Sequence, residues 1–277
     1  MGRVSKNEWT HHTFNPWRGC QHSVTADGST HPGCAHCYAE ALSKRAPKSL
    51  GTWGEDGTRV VASPSMWAKP LAWDRAAKAA GERHRVFCAS LADVFEDWPG
   101  PILDSHGGKL AARPISDVSV DRPATLDDLR RDLFNVIDRT PYLDWLLLTK
   151  RPQNVRRMTP PHPLDMGPDV IDIRMHTVRR NVWLGTSVSN QATADELIPD
   201  LLKCRDLASV LFLSCEPLLG PIDLARNLAP RPSTQMTAFS VSSIAYGMTR
   251  RGKTSTGREL DGLLWDEFPS FAGEVPR

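Results

Sequence analysis

Three of the six cysteines, Cys20, Cys34 and Cys37, are grouped near the amino end in a spacing that suits metal chemistry. Cys20 closes the run Asn15-Pro16-Trp17-Arg18-Gly19-Cys20, and thirteen residues later comes Cys34-Ala35-His36-Cys37. A Cys-x-x-Cys pair lets two thiolates face one ion. The run 38–45 that follows it reads as a helix, and a helix amino end favours negative charge and lowers a thiol pKa. Five of the nine histidines (His11, His12, His22, His31 and His36) lie near these cysteines. Two metal chemistries are therefore open: an iron–sulfur cluster on three thiolates, or a structural zinc on three cysteines and a histidine.

Composition decides between metal and disulfide. The amino end, Met1-Gly2-Arg3-Val4-Ser5-Lys6-Asn7, has no apolar stretch after its basic residues, so no secretory signal is expected. The expected setting is cytoplasmic and reducing, where such a cysteine pattern binds metal rather than cross-linking. No apolar run approaches the ~20 residues that span a bilayer, so no membrane partner is expected. Cys88, Cys204 and Cys215 lie in or beside apolar stretches and read as small buried hydrophobes. A net charge of +2 is too small to imply nucleic-acid binding by itself. Its distribution is uneven: residues 226–258 carry Arg226, Arg231, Arg250, Arg251, Lys253 and Arg258 and no acid, in a Ser/Thr-rich stretch. That segment reads as a solvated or disordered basic tail, with a nucleic-acid contact as the alternative.

The elements that must hold the cysteines alternate between strand and helix. Strands are expected at 13–17, 58–62, 85–89, 143–149, 181–186 and 210–215, and helices at 37–45, 66–80, 125–139, 153–158 and 193–203. Thr125 with Asp128 three residues on has the form of a helix-capping pair. Alternation of this kind predicts an α/β fold with parallel strands, and the length suits a barrel, which takes roughly 250 residues when complete. Loops are expected at 97–123 and 160–178.

In parallel sheets ligands gather at the carboxyl edge, and several strands end there in polar groups. Ser90 and Asp93 follow the third strand and Lys150 and Arg151 the fourth; Ser187 and Asn190 follow the fifth and Glu216 the sixth. The cysteine loop follows the first strand, so the same rule brings its metal to this rim. Trp17 and Trp183 adjoin the expected site loops.

Several stretches carry a resemblance. They are Phe14-Asn15-Pro16-Trp17-Arg18-Gly19-Cys20, Gly33-Cys34-Ala35-His36-Cys37-Tyr38-Ala39-Glu40, Leu148-Thr149-Lys150-Arg151-Pro152, Val182-Trp183-Leu184-Gly185-Thr186-Ser187-Val188, Phe212-Leu213-Ser214-Cys215-Glu216-Pro217 and the closing Leu263-Leu264-Trp265-Asp266-Glu267-Phe268. Together they resemble the phage-associated three-cysteine proteins of the radical S-adenosylmethionine superfamily, whose substrate is unsettled. The resemblance implies a [4Fe–4S] cluster on Cys20, Cys34 and Cys37, with one iron open for S-adenosylmethionine, an electron donor such as flavodoxin or ferredoxin, and a 5′-deoxyadenosyl radical. It further implies cofactor contacts at Tyr38, Ser90, Asp93, Arg151, Ser187 and Asn190, with Lys150 and Glu216 facing substrate as catalytic groups.

The chain departs from that pattern in three places. The gap between the first two cysteines is longer, His36 stands where an aromatic residue usually precedes the third cysteine, and two strands expected after Ile222 are missing. The expected architecture is therefore a partial TIM barrel of six β/α units over 1–225, an atypical basic segment at 226–258 and a carboxyl tail at 259–277. The resulting functional expectation is a radical enzyme acting on a nucleic-acid base or nucleotide. The alternatives are a non-catalytic, metal-stabilised module that binds nucleic acid or a partner protein, and a truncated inactive copy.

Overall fold

The computed structural model describes residues 10–115, 118–162, 178–224, 227, 239–242, 259–260 and 263–264. Two short strands open it, β1 (His12–Thr13) and β2 (Trp17–Arg18), followed by the one- to two-turn helices α1 (Pro32–Ala35), α2 (Tyr38–Ser43) and α3 (Pro47–Leu50). β3 (Arg59–Val61), α4 (Pro64–Trp67) and α5 (Lys69–Ala80) lead to β4 (His84–Cys88). The short β5 (Ile102–Leu103), β6 (Arg113–Ile115) and β7 (Val118–Arg122) precede α6 (Leu126–Asp138). The rest alternates: β8 (Leu143–Thr149), α7 (Pro152–Met158), β9 (Arg179–Ser187), α8 (Gln191–Leu202), β10 (Ala208–Ser214), β11 (Phe239–Ser242), β12 (Glu259–Leu260) and β13 (Leu263–Leu264).

Local chemistry explains the main boundaries. Thr125 and Asp128 form the expected capping box, each side chain taking the other's backbone N–H. Asn190 and Thr193 do the same for α8. Gly81 ends α5 in the left-handed conformation that glycine adopts without strain. Pro16 divides the expected strand 13–17 in two, because it brings no N–H to a ladder. Its carbonyl instead accepts from Ala62 N.

Six strands form one sheet in the order β1-β4-β8-β9-β10-β11, and every neighbouring pair is parallel. Each neighbour is also the next strand of that sheet along the chain, so the winding runs in one direction. Three expectations need correction, the first being the loop at 97–123, which carries β5, β6 and β7. The strand at 58–62 lies outside this sheet: β3 pairs antiparallel with β2 and parallel with β5 in a small sheet of its own. The sixth strand comes instead from within 226–258, where Phe239–Ser242 pairs with Leu211–Ser214. The remaining expectations for that segment lie outside the described residues. Among the described residues no pairing joins β1 to β11.

The two faces of the sheet are covered differently. Val86, Cys88, Trp145, Leu147, Val182, Leu184, Leu211 and Leu213 pack with Ala77 of α5, Leu133, Phe134 and Ile137 of α6, Val155 of α7 and Ala194, Ile198 and Leu201 of α8. The alternate residues Leu146, Trp183, Val210 and Phe212 form a separate cluster with no helix residue in it. Helices on a single face follow from one-directional winding, since each crossover returns on the same side. Cys88, Cys204 and Cys215 are buried, as their apolar surroundings led one to expect.

On the face opposite the helices the Phe212 ring lies against Gly185, where an added Cβ would come within 2.3 Å of it. Gly185→Ala is expected to destabilise the fold by about 1–3 kcal/mol through overpacking. A urea denaturation series checks this.

At the amino end of β4, His11 stacks on His84 with centroids 4.7 Å apart, and His12 stacks on Trp73 at 4.2 Å. His12 Nε2 and His84 Nδ1 share a hydrogen bond of 3.1 Å. Burial, with His84 and His11 adding to it, pushes the His12 pKa down to about 4. The unfolded chain takes up this proton near pH ~6.5. Between these values the unfolded state binds more protons, so stability falls as the pH drops from about 6.5 to 4. Thermal midpoints across that range should show a shallower decline for His12→Gln, which cannot protonate.

Candidate metal centre

The two cysteine loops are built in different ways. Gly19, at φ 102°, turns the chain after β2 at a point where a Cβ would lie 2.3 Å from the Thr58 carbonyl oxygen. Its N–H donates to the Leu91 carbonyl, and the Cys20 carbonyl accepts from Gly54 N. The second loop is short-range. His31 caps α1, its Nδ1 accepting from Gly33 N at 3.0 Å, and Pro32 occupies a first-turn position where its missing N–H matters little. Cys34 sits in that turn, and Cys37, whose N–H donates to the Cys34 carbonyl, is the residue before α2.

The Cys20 and Cys34 thiols are pushed up rather than down. Burial pushes the Cys34 thiol up, with the Lys150 ammonium opposing it. Burial and the Glu96 carboxylate push Cys20 above the ordinary thiol range. At Cys34, in the four-residue α1, the dipole is small and desolvation outweighs it.

Behind Cys20 lies a charged loop, residues 90–98, in which 93–96 and Trp98 are buried. Glu96 is 1% exposed and makes a bidentate pair with Arg59, 0% exposed, at 2.7 and 2.8 Å. Arg59 also stacks on Trp98 at 3.7 Å. Asp93 uses both oxygens: Oδ1 accepts from Thr149 Oγ1 and Phe95 N, and Oδ2 from Lys150 N and Arg151 Nη1. The loop's carbonyls are taken as well. Val94 and Glu96 accept from Arg130, Phe95 from Asn154, Leu91 from Gly19 N and Ser90 from the Tyr38 hydroxyl.

The residues expected at the rim separate into two groups. Arg151 turns inward to Asp93 at 3.0 Å and to the Gln21 carbonyl at 2.6 Å. Asp93 is committed to the same network, Asn190 to its cap, and the Ser90 hydroxyl to Asn15. The other group faces the second cysteine loop. Lys150 lies alongside Gly33, acts on His31 and Cys34 through its charge, and has no carboxylate partner among the described residues. Tyr38 is 59% exposed with its hydroxyl tied to Ser90 at 2.7 Å, and Glu216 is within electrostatic reach of it. Ser187 ends β9 in register with Ser214, and its carbonyl neighbours the His31 ring.

A family model described as "Protein of unknown function (DUF5131)" matches residues 4–102 and 112–230. The chain belongs to this family. No curated protein and no solved structure matches it. The family's two matched stretches contain all three cysteines and every rim residue named above.

Several residues that serve this rim were not singled out in the sequence as rim residues. Asn15 fixes Leu91 N and the Ser90 hydroxyl, and it stands in the Asn-Pro-Trp-Arg-Gly-Cys run, which was a usable signal. Ser189 is fully buried against Gly33. His31 is 1% exposed, with its pKa pushed down to about 4 by burial and by Lys150, so it is a neutral cap. Arg59 and Glu96 gave no local signal, being far apart in sequence.

Among the described residues, no three His, Cys, Asp or Glu side chains are grouped so as to hold a metal ion as they stand. Cys34 and Cys37 act on each other electrostatically, while Cys20 Sγ donates to the Gln21 carbonyl at 3.1 Å. A thiolate has no proton to donate, so ligation releases Cys20 from that bond. By its chemistry the donor set fits a cluster bound through three thiolates from two loops. Of the histidines open to the zinc alternative, His11 and His12 are engaged at the amino end of β4, His22 with Glu40 at 2.9 Å and His31 Nδ1 with Gly33, which leaves the exposed His36 of the Cys-x-x-Cys loop as its donor.

Removing one member of the buried pair tests how much this architecture rests on it. Arg59→Met leaves Glu96 buried without its counter-charge and is expected to destabilise the fold by about 3–5 kcal/mol. The double variant Arg59→Met/Glu96→Leu should recover part of that loss in equilibrium denaturation.

Proposed function

We propose that this protein holds a [4Fe–4S] cluster on Cys20, Cys34 and Cys37 and is a radical S-adenosylmethionine enzyme acting on a nucleic-acid base or nucleotide in a phage-associated, cytoplasmic setting. The observation that carries the reading is that both cysteine loops lie against the carboxyl ends of a parallel sheet wound in one direction, with Lys150, which has no carboxylate partner among the described residues, acting on Cys34. The same winding, with helices on one face only, supports a partial barrel. When bound, the cluster and S-adenosylmethionine supply a 5′-deoxyadenosyl radical, given one electron from a donor such as flavodoxin or ferredoxin.

The chain's own residues have separable tasks. Lys150 offers its charge to an anionic group, the carboxylate of S-adenosylmethionine or a substrate phosphate, close to Cys34. Tyr38, held by its hydroxyl, presents an exposed ring on which a heteroaromatic base can stack. Glu216, near Tyr38, is placed to accept or return a proton on a group bound between them. Trp183 and Phe212, buried on the sheet face opposite the helices, supply apolar surface that keeps water from below.

Anaerobic reconstitution with iron and sulfide should give a brown protein that releases 5′-deoxyadenosine from S-adenosylmethionine under dithionite. Cys34→Ala should abolish that release. A colourless protein with one tightly bound zinc, or release undiminished by the substitution, would overturn the reading. Lys150→Met should keep its iron but bind S-adenosylmethionine about tenfold more weakly, the loss of ~1.4 kcal/mol. Calorimetric titration measures it.

A further inference from the structure

The residue after the first cysteine is held by charged side chains at both ends of its backbone. Gln21 N donates to Glu96 Oε1 at 2.5 Å, and the Gln21 carbonyl accepts from Arg151 Nη2 at 2.6 Å. Both grips come from buried ion pairs, Arg59 with Glu96 and Arg151 with Asp93, and both carboxylates belong to the one loop after β4. The other nitrogen of the Arg151 fork, Nη1, spans the Asp93 carboxylate at 3.0 Å and Cys20 Sγ at 3.9 Å.

Burying two such pairs is a poor route to stability, because desolvation offsets most of the attraction. A location is what they secure. Asp93 is itself fixed by Thr149 Oγ1 at 2.7 Å and Lys150 N at 3.1 Å, so the guanidinium is oriented by the end of β8. Only a planar fork reaches the carboxylate, the carbonyl and the sulfur together. Lysine carries the charge but not that geometry. When Cys20 gives up its proton, the Gln21 carbonyl loses the thiol donor and keeps Arg151.

We propose that Arg151 is a positioning residue for Cys20: seated by Asp93, it holds the Cys20–Gln21 backbone in place and sets a fixed positive charge against the ligating sulfur. The proposal rests on the cluster reading. It assigns to Arg151 a role distinct from the cofactor contact expected of it from sequence, and divides the Lys150–Arg151 pair between an anion contact and a support for the cluster. Hydrogen bonds and charge around the sulfurs help set a cluster's potential. A cation beside the sulfur stabilises the reduced, more negative state and raises the midpoint potential.

The test uses the full chain, reconstituted anaerobically with iron and sulfide, as wild type, Arg151→Met, Arg151→Lys and the control Arg157→Met, whose arginine makes a surface pair with Asp97. Two readouts are taken: the midpoint potential by redox titration, and the rate of iron loss to a chelator. Arg151→Met is expected to shift the potential downward and to lose iron about tenfold faster, the scale of a support residue around metal ligands. Arg151→Lys should keep the potential near wild type while iron loss stays fast, separating charge from geometry. Should Arg151→Met fail to fold, the Arg151→Lys comparison decides. Arg151 variants indistinguishable from Arg157→Met in both readouts would overturn the proposal and leave the cluster reading intact. Wild-type protein that takes up no iron would overturn both.

Discussion

A carboxylate cannot be buried without a partner, and the loop after β4 buries two. Asp93 and Glu96 are 5% and 1% exposed, and satisfying them draws in groups from nearly every other part of the protein. Arg59 comes from the small sheet, Thr149 and Arg151 from the end of β8, and the Gln21 amide from the first cysteine loop. Arg130 of α6 and Asn154 of α7 then close the loop's own carbonyls. A segment with few local contacts thereby becomes the place where the small sheet, the main sheet, two helices and both cysteine loops meet.

Much of the main sheet is legible in the sequence because its strands are buried on both sides and read as apolar runs. Leu143–Thr149 and Ala208–Ser214 are the clearest cases. The caps of α6 and α8 are equally local, each settled within four residues. Pairing is not local. Arg59–Val61 looks like any buried strand, and only its partners, Trp17–Arg18 and Ile102–Leu103, remove it from the main sheet. Phe239–Ser242 is hidden for the opposite reason: with serine at alternate positions and basic residues around it, its place beside β10 depends on that strand's free edge.

The site was legible as residue types rather than as directions. Lys150 and Arg151 are adjacent, and adjacency suggested a common ligand. Successive side chains along an extended segment point to opposite sides, so one lies toward Cys34 of the second loop and the other reaches the buried carboxylate. Asp93 misleads in the same way, since a polar strand end looks available until its four hydrogen bonds are counted. The cysteines were found by spacing, but the state of their thiols was not, because burial is a property of the assembled loops.

The face of the sheet without helices is layered by the register. Ser187 and Ser214 lie opposite each other at its top, Phe212 lies over Gly185 two residues lower, and Trp183 pairs with Val210 two residues lower still. At a rise of ~3.3 Å per residue, each layer is about 7 Å deep. From the carboxyl rim inward the lining therefore changes from hydroxyl groups to an aromatic floor within about two residues of strand. With Trp183 and Phe212 only 4% and 5% exposed, the polar layer ends where a packed aromatic layer begins.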